Sequence, residues 1–474
     1  MLNYYRFFRA NKRILLFGML LVFFSNFGQT FLLSLYIPSL LDAFDISRSS
    51  FSSLYATATL LSAVTLIAVG KKIDFVPLKG FTLFVVGGIT AACLLATFSF
   101  HIVGLFFAVY LLRLFGQGLL SHTALTTMAR FFRQARGKAL SIAYLGFPLG
   151  EGVLPVLVVA SIMTLGWRET FGISALFVVL VLLPLSMFLL RGASPENTVE
   201  GEEVPGPRAD QRAVVSDQRA AAAGRRAAAA ARTAVPAGAR PAGTDADPPA
   251  GSAAGAPHTD RGSVAHPART HPATDEARLW KQREVIRSRP FYLFAPTVFL
   301  VGFLQTALFF FQAFIAEEKG WSLEWMAAGI TAYAISASLC SVFAGPLIDR
   351  FSAMKLFPLV LLPLGVALLV LNLGVQPWII PVYWMLVGIT GGSSSPVTSA
   401  LYAEKYGTRS LGTVRSLFTF VMVASTAAAP VGYSFFLERG FGFSHIHWGV
   451  IGILLINVIF IQTFGRRLQV FRKE

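Results

Sequence analysis

GKKIDFVPLK, residues Gly70 to Lys79, sets one acid, Asp74, among Lys71, Lys72 and Lys79, between two long apolar runs. GPLIDRFSAMK, Gly345 to Lys355, repeats the pattern with Asp349, Arg350 and Lys355 at an offset of 275 residues. Gly137 and Pro155 find counterparts in Gly412 and Pro430 at the same offset. Two regions held in one register indicate a duplicated architecture.

The flanking runs give the class. Of 474 residues, 55% are hydrophobic and only 14% charged, with a mean hydropathy of +0.63. That is too apolar for a water-soluble chain of this length. Apolar runs of about 20 residues recur, the length that crosses a bilayer core as a helix. They are continuous, without the alternation of barrel strands. The expectation is an all-α integral membrane protein with about twelve spans. Their approximate limits are 13–40, 51–70, 79–100, 103–129, 138–164, 169–190, 290–315, 325–346, 354–374, 377–402, 411–436 and 443–465. The first run is too long, and lacks a small-residue cleavage site, to be a removed signal peptide.

Net charge is +16. The cations are sorted by side and form no single basic face, which argues against a nucleic-acid partner. With the N-terminus inside, short inner segments hold 20 Lys and Arg and the central segment 15, against four in the outer loops, Arg48, Arg168, Lys319 and Arg439. This bias places both termini in the cytoplasm of a multi-pass protein of the cytoplasmic membrane. Cys93 and Cys340 lie in apolar runs and read as core residues, with neither disulfide nor metal site expected.

Three domains follow: helices over 1–190, a central segment 191–289, and helices over 290–474. Residues 201–270 contain no Phe, Ile, Leu, Met, Trp, Tyr or Lys. A stretch of Ala, Arg, Pro and Gly buries too little apolar surface to order itself. It reads as a disordered cytoplasmic tether. A regulatory or lipid-binding arm and an out-of-frame translation are the other readings of the same composition. The basic stretch Lys281 to Arg289 is expected along the membrane surface.

Two sets of helices with a repeated Gly-x-x-x-Asp loop resemble the major facilitator superfamily. Gly70, Asp74 and Lys79 match its signature, with Pro77 at the usual second Gly; Gly345, Asp349, Arg350 and Lys355 match the repeat, with Ser352 there. Arg113, Gln117 and Gly118 match its Arg-x-x-x-Gln-Gly motif. The resemblance implies two pseudo-symmetric six-helix bundles that rock about a central site. Residues 130–155 and Gly166-Trp167-Arg168 look like the monocarboxylate and oxalate/formate branch, although spans 1 and 8 carry no internal charge. The resemblance also implies a cytoplasmic gate. Asp74 and Asp349 would be held by Arg130, Arg133 and Arg136 in one half and Arg409 and Arg415 in the other.

Arg113 and Glu151 are the ionisable groups placed deep in the spans, histidines aside. A charge at that depth costs at least about 2.5 kcal/mol, so it faces the bundle interior with a partner. Either Glu151 titrates during transport with Arg113 beside it or beside an anionic substrate, or the two form a static ion pair. Asn26 and Gln29, like Gln305 and Gln312, share helix faces in spans 1 and 7. They read as substrate hydrogen-bonders or as interhelical amide bonds. Tyr36, His122 and Tyr333 are further candidates. Gly388, Gly391 and Gly392 read as a close-packing surface. No phosphate loop, metal cluster or catalytic triad stands out, so neither an enzyme nor a cofactor is expected. The sequence favours a monomeric secondary transporter for a small solute such as a carboxylate, with protons as candidate coupling ions. Proton-coupled efflux of drugs or metabolites, and a non-transporting sensor, are the alternatives.

Overall fold

The computed structural model describes residues 2–132, 135–192, 280–407 and 410–470. Among these, every regular element is helical. The first half comprises α1 (Tyr5–Gly28) and α2 (Thr30–Phe44), then α3 (Arg48–Ile73), α4 (Leu78–Thr97), α5 (Ile102–Phe131), α6 (Arg136–Leu165) and α7 (Trp167–Leu189). The second half comprises α8 (Arg289–Phe310), α9 (Gln312–Lys319), α10 (Leu323–Phe351), α11 (Ala353–Leu373), α12 (Ile379–Tyr406), α13 (Leu411–Leu437) and α14 (Phe443–Val470).

Among the described residues ten helices are long and apolar enough to cross a bilayer, and α1 with α2 makes an eleventh span bent by 44°. Helix α12 has the length, 28 residues, but its GGSSSP run at 391–396 dilutes its apolarity. It completes the twelve expected rods. The rods alternate in direction, so both chain ends lie on one side, here the terminal side; the other is the distal side.

The ends follow local chemistry. Ser47 accepts a bond from the Ser50 N–H at the start of α3, and Ser322 does the same for Trp325 at α10. The break in span 1 is sharper. Asn26–Gly28 tightens into a 3₁₀ turn, and Gln29 is extended at φ −79°, ψ 151°. Gly28 lies against Gly116 so closely that a Cβ on either would strike the other helix's backbone. Only glycines allow that approach.

The described residues all belong to a first unit, 1–200 with 273–474, and 201–272 lie outside them. Within the first unit, one apolar core runs through the first half and continues into the distal parts of α8 to α14. A second core, of Phe294, Phe357, Tyr402, Phe418 and their neighbours, belongs to the terminal end of the second half alone. Polar contacts between the halves sit toward the distal side. Gln312 Nε2 donates to the Phe31 carbonyl at 2.8 Å and to Ser34 Oγ at 2.7 Å. Ser52 and Ser434 hydroxyls meet at 2.7 Å, and Arg48 reaches Glu317 at 3.9 Å. Rings of Tyr55 and Phe310, 5.0 Å apart, close the same level. The halves therefore share a sealed distal end.

The stretch expected along the membrane surface is folded. Trp280 stacks edge-on to Tyr406 at 5.4 Å, and its N–H donates to Ser410. A short helix, Gln282–Arg287, follows and buries Val285 in the second core.

Candidate functional site

Arg113 is the first fixed point. It lies in α5 where Leu112–Leu120 widens into π-type turns, a local bulge common at functional positions. Its guanidinium is 3% exposed. Nη1 donates to the Gly28 carbonyl at 3.0 Å and to Thr30 Oγ1 at 3.4 Å. The guanidinium carbon stands 5.1 Å from the Tyr55 ring centre, and the Tyr55 hydroxyl meets Thr30 at 2.7 Å. The span 1 break leaves the Gly28 carbonyl for Arg113 to use. Nε has no partner.

The expected Arg113–Glu151 pair does not form. The ion pair seen among the described residues is Arg48–Glu317 at the surface. Arg113 is held by span 1, while Glu151 points from α6 toward the second half. Its neighbour Gly152 accepts a bond from Thr331 Oγ1 of α10 at 2.9 Å. The Tyr333 hydroxyl, two residues further along α10, is within electrostatic reach of Glu151.

Tyr333 is the second fixed point. Its ring meets Phe309 edge-on at 5.0 Å, and Phe309 stacks on Trp384 at 4.6 Å. A Cβ added at Gly391 would stand 2.7 Å from the Tyr333 hydroxyl and 3.1 Å from Gln305 Nε2. Gly391 thus clears the space where these two polar groups converge. Gln305 Nε2 is buried without a partner. The neighbouring Gly388 and Gly392 press against Ser336 and the Ala337 carbonyl of α10, the close packing expected of them.

Other candidates resolve into structural roles. Asn26 Nδ2 bonds the Phe23 carbonyl at 2.9 Å and reaches the Gly146 carbonyl at 3.4 Å, so it ties α1 to α6. Gln312 latches the distal seam. Tyr36 is buried and stacks on Phe171 at 4.1 Å, which makes it core. His122 does not reach the central site: its Nε2 lies 3.2 Å from the Gly70 carbonyl at the terminal side. Gln29 and Gln117 are half-buried beside the span 1 break and the widened α5 turns. The candidates that remain fall in two clusters, Arg113 with Tyr55 and Thr30, and Glu151, Gln305 and Tyr333 with Phe309 and Trp384. Aromatic and Thr residues inside apolar runs carry no sequence mark that separates cavity from core.

At the expected gate, Arg130 Nη1 donates to the Ile73 carbonyl at 3.0 Å. Glu404 of α12 accepts from the Ala353 N–H at 2.8 Å and caps α11 beside the second loop. Sequence reading missed Glu404, although an acid close to a helix N-terminus is a recognisable pairing. Lys79, Arg136, Gly345, Arg350 and Lys355 are exposed. The side chains of Asp74 and Asp349, and all of Arg133 and Arg409, lie outside the described residues.

A family description, the Major Facilitator Superfamily, matches residues 18–430, with a second match over 294–469. The chain belongs to the Major Facilitator Superfamily. With its membrane-spanning helices it is a multi-pass secondary transporter for a small solute. The second match falls on the second half alone, as a duplicated architecture allows. Among curated proteins no relative matches the chain.

Proposed function

We propose that this transporter carries a small organic anion across the cytoplasmic membrane, with Glu151 taking and releasing the coupling proton. Arg113 is the observation that supports it. Among the described residues its buried charge meets a carbonyl, a hydroxyl and a ring, while Nε is left unused. A carboxylate on the substrate would supply the missing charge and acceptor. Gln305 and Tyr333 offer hydrogen bonds from the other half, so binding draws on both halves at once. Glu151, at their boundary with no ion pair, is free to titrate as the halves rock. The terminal side is the cytoplasmic side in this reading. The domains are 1–190 and 290–474, with Trp280 to Arg287 packed on the second, and Asp74 and Asp349 gate the inner mouth. The protein works as a monomer.

The aromatic wall of Tyr55, Phe309, Phe310, Tyr333 and Trp384 favours a second reading, export of an apolar solute in exchange for protons. Proteoliposomes loaded with a panel of carboxylates and neutral aromatics, with and without a pH gradient, decide between the two. Carboxylate flux that follows the gradient is expected, and Glu151→Gln should flatten its pH profile while leaving exchange intact. An unchanged profile in that variant would remove Glu151 from the coupling.

A further inference from the structure

A recess of about 170 Å³ lies in the second half, on the terminal side of the Gln305–Tyr333–Gly391 convergence. Its floor is mostly apolar, Val298 and Val301 of α8, Phe357 and Val360 of α11, and Phe418 of α13, with Thr297 and Tyr402 beside them. Its mouth is polar, with Ser395 and Ser399 on α12 and Arg415 and Thr419 on α13. Ser395, Arg415 and Thr419 are exposed.

The internal duplication provides a control. At the offset of 275, Ser394 and Ser395 correspond to Leu119 and Leu120, Ser399 to Ala124, and Arg415 to Leu140. Ala403 corresponds to Met128, which is fully buried and packs against Gly18. Leu119, Leu120 and Ala124 are fully buried as well. Where the second half lines a recess with Ser394, Ser395 and Arg415, the first half places two buried leucines and the partly buried Leu140.

A void that needs filling only for stability would be filled in both halves, because unfilled space forfeits contacts. A mostly apolar floor under one cation and several hydroxyls matches a ligand with an anionic head and a short apolar body. We propose that this recess is an anion-binding subsite at the inner mouth, separate from the central site, which takes amphipathic carboxylates head-out on Arg415. Its ligand reaches it from the terminal side, so it would hold solute entering or leaving the open mouth. The same chemistry is offered by a free carboxylate and by an anionic lipid headgroup with its chain.

The test uses the full chain in phosphatidylcholine nanodiscs and 4-fluorobenzoate followed by ¹⁹F relaxation. Arg415→Gln should weaken binding about tenfold or more, the loss of one charge-assisted contact. Arg415→Lys should recover part of it, and Val301→Phe, filling the floor, should abolish it. Gln305→Leu, in the central site, should leave this binding in place. Melting temperature and gel filtration confirm folding of each variant. Equal binding by Arg415→Gln and the native protein overturns the subsite, as does equal loss in Gln305→Leu, which would place the probe centrally. Competition by added phosphatidylglycerol would support the subsite with lipid as its occupant; competition by soluble carboxylates alone would support it with solute.

Discussion

The two halves share a register and differ in filling. In the first, the terminal ends of α1, α5 and α6 are packed solid around Met128, Leu119 and Leu120. In the second, α8, α12 and α13 enclose a recess rimmed by hydroxyls and Arg415. The first half holds the deep charges, Arg113 and Glu151; the second contributes neutral groups to the centre, Gln305 and Tyr333. Duplication thus kept the helix spacing and let the two interiors specialise. One keeps charge at depth and the other presents neutral polar groups.

Three changes would break or sharpen this contrast. The largest effect is expected from Met128→Ala, which copies into the first half the small residue found at Ala403. It should open a void and cost about 2–3 kcal/mol, read as a clear drop in melting temperature. Ala403→Ser, by comparison, should shift it little, and equal costs would erase the distinction in packing. At the seam between the halves, Gln312→Ala removes bonds to Phe31 and Ser34 and should loosen the sealed distal end by about 1.5 kcal/mol. A cysteine placed at Ser52 in that variant should label about tenfold faster from the distal side. The smallest effect is expected from Arg48→Gln. Its pair with Glu317 is long and largely exposed, so distal labelling should change by less than about twofold.

The spans, the duplicated loops and the close-packing glycines of α12 were legible in sequence, because apolar length and short motifs are local properties. The partnership at Arg113 was not. Two deep charges of opposite sign invite pairing, but the span 1 break offered Arg113 a carbonyl first, and that break depends on Gly28 and Gly116 meeting from helices far apart in sequence. The amides divided for the same reason. Asn26 and Gln312 reach neighbouring backbone carbonyls, whereas Gln305 looks onto the space that Gly391 leaves open, and spacing along one helix does not distinguish these cases. His122 had its depth misjudged because it lies on the long α5, whose terminal end returns to the Gly70 loop. The recess escaped notice because Ser, Thr and one Arg at helix ends resemble any solvated rim until Ser394 and Ser395 are set beside the buried Leu119 and Leu120.

The kink at Gly28 has a mechanical consequence. The carbonyl that a straight rod would lend to its own next turn is lent to Arg113, so the tilt of α2 is tied to where that guanidinium rests. If the proposed anion drew Arg113 away, the carbonyl would return to its own helix and the arm bearing Phe31 and Ser34 would swing with it. Occupancy at mid-depth would in that way be felt by Gln312 at the far lip.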